Sequence, residues 1–204
     1  SPIYSKILIS EVQAAGLTDE KEEFVELYNP NAVEINLTNW YLQKKPKTGS
    51  DYSSFAPNTS FAGKKIVAND YFVIARESSP FVALADIVVE NSLAEDNSLI
   101  LKNPNGEISD KLGFGQAQEY EANSAQNPIE GQSVGRKWDA VNNTEQDTDD
   151  NLADFEAQIP TPRLQGEGIS PPNPIPPEPP NPQIVLINEI QIDGMVGVGG
   201  RDDD

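Results

Sequence analysis

Short apolar runs, rich in β-branched and aromatic residues, recur along most of this chain, and each is cut off by turn residues. Phe24-Val25-Glu26-Leu27-Tyr28 is stopped by Asn29-Pro30-Asn31. Pro cannot donate to a strand ladder and Asn accepts turn conformations, so a strand must end there. Tyr4 to Gln13 precedes it as a mostly apolar strand. Ile35 to Leu37, Trp40 to Lys44, Lys64 to Val67, Tyr71 to Ala75 and Asp86 to Val89 follow. Ser98 to Lys102 and Glu107 to Leu112 flank Asn103-Pro104-Asn105-Gly106. Asn-Gly takes the positive φ of a tight turn, which makes this the clearest hairpin. Ser133 to Trp138 is a last strand. No sustained period of 3.6 appears, so little helix is expected. Many short strands at this spacing indicate a sandwich or barrel.

A repeat adds a second constraint. Lys6-Ile7-Leu8-Ile9-Ser10-Glu11-Val12-Gln13 returns as Ile184-Val185-Leu186-Ile187-Asn188-Glu189-Ile190-Gln191. Between the copies, Ser170 to Gln183 reads SPPNPIPPEPPNPQ. Such a run lacks amide donors and prefers the extended polyproline II form. It would hold two modules roughly 40 Å apart. The organisation expected is a β-sandwich over residues 1–166, a Pro-rich linker over 167–183, and the truncated start of a second repeat over 184–204. In that reading the full-length protein continues. Ile184–Ile192 is then an orphan strand, mobile or paired with an exposed sheet edge.

Composition narrows the chemistry. The 204 residues carry no Cys and no His. That removes Cys nucleophiles, His bases, ordinary zinc sites and any Ser-His-Asp triad. A metal would be held by oxygen, which points to Ca²⁺ or Mg²⁺. The net charge is -19. Such a surface repels phosphate backbones and anionic bilayers, so neither nucleic acid nor a membrane is an expected partner. No apolar stretch is long enough for a spanning helix, and Ser1-Pro2 opens no signal-peptide pattern. Three matches to the glycosylation sequon, at Asn36, Asn58 and Asn142, are too short to carry weight in an Asn-rich chain.

The order of these signals resembles the lamin tail domain, an immunoglobulin-like β-sandwich. The residues that carry the likeness are Ile7 to Val12, Glu23 to Pro30, Asn36-Leu37-Thr38-Asn39-Trp40 with Leu42, and Tyr71 to Ala75. Asn97 to Leu101 with Asn105-Gly106, Gly131 to Arg136 and Pro160-Thr161-Pro162 complete it. The resemblance implies a compact sandwich without a catalytic site. Animal nuclear lamins use such domains to contact proteins and DNA. Bacteria carry them in secreted or surface proteins. The acidity and the missing coiled-coil rod favour the second setting.

Candidate sites are few. Asp147, Asp149, Asp150 and Asp154 place oxygens at spacings like those of Ca²⁺ loops, without the full EF-hand pattern. Trp138 and Arg136 stand just before them as candidate ligand contacts, by stacking and by charge. Glu11 and Glu26 lie on strands expected to pair, as glycosidase carboxylates do, though no complete catalytic constellation accompanies them. Gly113-Phe114-Gly115 opens no helix and so is no nucleotide loop. The expectation is a noncatalytic module of a repetitive secreted or cell-surface protein, serving adhesion, protein interaction or spacing. Its partners would be proteins or carbohydrates at a surface. Two alternatives are a Ca²⁺-assisted binding module and an accessory domain of an extracellular hydrolase.

Overall fold

A computed structural model describes residues 2–19 and 21–166. The linker 167–183 and the repeated strand Ile184–Ile192 lie outside the described residues. The expected strands form with modest shifts of boundary, and one at Ser53–Ala56 joins them that the sequence reading does not include. They are β1 (Leu8–Gln13), β2 (Phe24–Tyr28), β3 (Ile35–Asn36), β4 (Tyr41–Pro46), β5 (Ser53–Ala56), β6 (Lys65–Ile66) and β7 (Tyr71–Arg76). Then come β8 (Ile87–Val89), β9 (Asn97–Lys102), β10 (Ile108–Gly113) and β11 (Ser133–Arg136). The acidic stretch after Arg136 holds more structure than the sequence announces. It contains the ribbon β12 (Trp138–Asp139) and β13 (Thr144–Glu145), a single helical turn α1 (Asn151–Asp154) and a further strand β14 (Phe155–Gln158).

Two sheets make the sandwich. One has the strand order β14-β11-β1-β2-β7-β8 and the other β10-β9-β4-β5. All ladders are antiparallel except β7 with β8, which are joined through a 3-10 turn at Pro80–Leu84. The core lies between the sheets. Ile9, Val12, Val25, Leu27, Phe72 and Ile74 face inward from the larger sheet. Leu42, Phe55, Leu99, Leu101 and Leu112 face them from the smaller one. Trp40 is fully buried, as the alternation of its strand predicts. Burying a large apolar side chain contributes about 1.5–3 kcal/mol, so this layer is the main stabilising element.

Polar residues shape the turns. Asn29 is fully buried, and its amide Nδ2 lies 2.9–3.2 Å from the carbonyls of Val33, Ile66 and Val67. It therefore ends β2 and pins two loops at once. In the β9–β10 turn, Asn103 Oδ1 accepts from the amides of Asn105 and Glu107, and Gly106 has φ of +81°. Only Gly adopts that backbone region without steric cost. Among the described residues, no helix is long and apolar enough to cross a membrane.

A bulge in β1 decides where the charged residues go. Ile9 pairs with Leu27, Glu11 with Glu26 and Val12 with Val25, so Ser10 and Glu11 together oppose Glu26. Strict alternation would turn Glu11 into the core beside Ile9 and turn Val12 out. The extra residue puts Ser10 and Glu11 on the outer face and returns Val12 to the core.

Candidate functional site

The outer face of the larger sheet carries a buried row of carboxylates beneath a strap of chain. Residues 159–166 cross β1, β2 and the approach to β7 in turn. The amide of Thr161 donates to Glu11 Oε1 at 2.9 Å, that of Arg163 to Glu26 Oε1 at 2.7 Å, and that of Gly166 to Asp70 Oδ2 at 2.7 Å. Gln165 ties in the same segment by accepting from the amide of Val67. Glu11 also accepts from the hydroxyls of Ser133 and Thr161. These side chains replace the partners that a neighbouring strand would supply to the strap.

Glu26, Glu11 and Glu145 are 0%, 1% and 3% exposed. Ser10 Oγ lies 3.0 Å from Glu26 Oε2 and 2.6 Å from Glu145 Oε1. A hydroxyl has one hydrogen, so its second contact needs a proton from a carboxyl. The electrostatics supply that proton. Burial pushes Glu26 well above the usual carboxylate range; Arg163 opposes this, and the charges of Glu11 and Glu145 reinforce it. Burial likewise raises Glu145, to about 7, and raises Glu11 against its hydrogen bonds. The Arg163 guanidinium stacks 3.8 Å from the Tyr71 ring and stands 3.9 Å from Glu26 and 4.0 Å from Glu145. Glu11 and Glu26 thus pair across β1 and β2 as the sequence suggests. Both are buried, with the strap lying across them.

The second cluster surrounds Arg136. This side chain has no exposed surface. Nη2 donates to Asp110 Oδ2 at 2.7 Å, Nε to the carbonyl of Ile9 at 3.0 Å and Nη1 to the carbonyl of Gln146 at 3.0 Å. Asp147 and Asp154 lie 3.4 and 3.6 Å from Nη1, and the Phe155 ring lies under the guanidinium at 4.4 Å. The expectation that Arg136 contacts a ligand at the surface is therefore corrected. The β11 alternation turns it beneath the β1 and β10 backbones, where each of its three nitrogens finds an internal acceptor. Trp138 is half-buried. It packs on Leu8, Tyr28 and Tyr71, edge-on to Tyr28 with ring centroids 6.3 Å apart.

The four aspartates proposed for Ca²⁺ do not converge, and that grouping is corrected as well. Asp154 is buried and accepts from the amide and hydroxyl of Thr148 and from Gln146. Asp150 caps α1 through the amide of Leu152 and accepts from Asn123. Asp149 is exposed, 3.7 Å from Lys6 Nζ. Only Asp147 joins a carboxylate group. Asp110, Glu121 and Asp147 each bring one oxygen within 4.8 Å of the others. Glu121 is raised to about 7, first by burial and then by the charges of Asp110 and Asp147. Beside it opens a groove of about 400 Å³, lined by Tyr4, Lys6, Asn103, Ser109, Glu121 and Asp149 among others. No sequence signal marks Glu121. It stands in the loop after β10, far from Asp147 along the chain.

Together these features define an all-β, two-sheet module whose buried charges are engaged in its own packing. The chain belongs to the lamin tail domain family, whose model matches residues 1–116. Beyond that span, β11 and β14 extend the same larger sheet. The chain is also similar to a solved structure of a DUF4876 family protein from Bacteroides thetaiotaomicron VPI-5482. The two share a TM-score of 0.59 and 12% identity, over 83% of this chain and 75% of that one. At this identity the likeness is one of fold. No curated protein matches the chain.

Proposed function

We propose that this chain is a noncatalytic module of a repetitive secreted or cell-surface protein, and that it serves spacing and protein interaction. The observation that carries this reading is the strap. Buried carboxylates hold the amides of Thr161, Arg163 and Gly166, so the chain leaves the sandwich at a defined place, directly before the Pro-rich segment. A module that anchors its own closing segment suits a spacer. The carboxylates best placed for acid–base work are spent on this anchoring. The net charge of -19 suits a solvated outer location.

Two measurements test the proposal. Protease shaving of intact source cells is expected to release peptides of this chain; its full protection inside intact cells would overturn the surface location. Hydrolysis assays on a panel of polysaccharides and esters are expected to show no turnover. A turnover abolished by Glu26→Gln would overturn the noncatalytic reading.

A further inference from the structure

We propose that Asp110, Glu121 and Asp147 form a Ca²⁺ site at the floor of the groove beside Lys6. The three residues come from β10, the loop after it and the segment after β13, and they bring one carboxylate oxygen each within 4.8 Å of one another. The second observation is independent of that cluster. Asp110 is fully buried, its Oδ2 is taken by Arg136 and the amide of Ile9, and its Oδ1 is buried with no partner at all. A buried carboxylate oxygen without a donor is costly, and a cation satisfies it.

The charge balance points the same way. Among the described residues, Asp110, Glu121, Asp147, Asp149 and Asp154 stand around Arg136 and Lys6, five carboxylates to two cations. One divalent ion offsets most of that formal excess. All the ligands are oxygen, which selects a hard cation. Ca²⁺ fits better than Mg²⁺, because it accepts irregular sets of 6–8 oxygens, with water from the groove completing the shell. Lys6 pairs with Asp147 at the mouth of the groove, so it occupies part of the space that the ion and its water would take. Ca²⁺ and the Lys6 ammonium therefore compete for Asp147.

Titration of the EDTA-stripped full chain with CaCl2, followed by calorimetry and by thermal unfolding, tests the site. One saturable event is expected, with Tm rising by about 3–5 °C at tenfold excess over Kd. Glu121→Gln should weaken binding at least about tenfold, while Asp150→Asn, at the half-buried cap of α1, should leave it unchanged. Lys6→Met should tighten binding, a gain that misfolding cannot produce. No heat and no Tm shift up to 10-millimolar-order CaCl2 (~10 mM) in the unsubstituted chain would overturn the proposal. Equal binding by the Glu121→Gln chain, or weaker binding by the Lys6→Met chain, would overturn it too.

Discussion

Arg136 shows how much a single buried charge can hold in place. Its guanidinium joins β1, β10 and the segment around Asp147 and Asp154. Removing one partner of a buried pair leaves the other uncompensated, at a cost of about 3–5 kcal/mol. Arg136→Met is expected to lose that much in urea denaturation, and coupling it to Asp110→Leu should restore part of the loss. A loss under about 1 kcal/mol would show that the pair is dispensable. Gly113 makes a steric counterpart. A Cβ there would sit 2.3 Å from the Glu119 carbonyl oxygen, which is backbone and cannot swing away. Gly113→Ala should therefore cost about 1–3 kcal/mol by equilibrium unfolding. Neither role is visible in the sequence. Arg136 precedes an acidic loop, which suggests a surface charge, and Gly113 looks like one half of a loop motif.

The strap behaves as an element although it forms no ladder. The amides of Thr161, Arg163 and Gly166 rely on side-chain acceptors, so losing one acceptor should loosen the segment while the sandwich stays folded. Glu26→Ala removes the acceptor of the Arg163 amide. Limited trypsin digestion after Arg163 is expected to accelerate by at least about tenfold in that variant, with the far-ultraviolet circular dichroism unchanged. Equal cleavage rates would mean that the glutamate does not hold the strap. Most of the strands were legible because each of those has its own punctuation, while β5 and β13 were not. β2 ends at Asn29-Pro30, and the β9–β10 hairpin turns on Asn105-Gly106, whose glycine shows the expected positive φ. β14 was not legible. Phe155-Glu156-Ala157-Gln158 has little β-propensity of its own, and it becomes a strand only because β11 offers it an edge, with Ser133 paired to Gln158 and Arg136 to Phe155.

For the molecule as a whole, the raised carboxylates predict an uncommon pH profile. Glu145 has an ordinary value of 4.5 and is raised to about 7 in the fold, and Glu11 and Glu26 move in the same direction. Between these limits the folded chain holds protons that the unfolded chain has released. Stability therefore falls as pH rises from about 4.5 to about 7. Below that window the sign reverses, because Asp96, held down by Lys47 and the Gln116 amide, and Glu119, held down by Lys45, lose their partners on protonation. Thermal unfolding in EDTA should give a higher Tm at pH 5 than at pH 8, and Glu26→Gln should narrow the difference. A Tm that rises steadily from pH 5 to pH 8 would contradict the burial of these groups.

The all-β character, most of the strands, the inward set of Trp40 and Leu42 and the shared face of Val25 and Leu27 follow from the sequence alone. Period-two alternation and turn chemistry are local, and they act over a few residues wherever those residues stand. The charged clusters are of another kind. Glu11 faces outward because a bulge in β1 reverses its alternation, and Glu121 meets Asp110 and Asp147 only through folding of distant loops. Their roles depend on desolvation and on charges brought together across the fold, and both arise when the sheets pack and the strap closes over them.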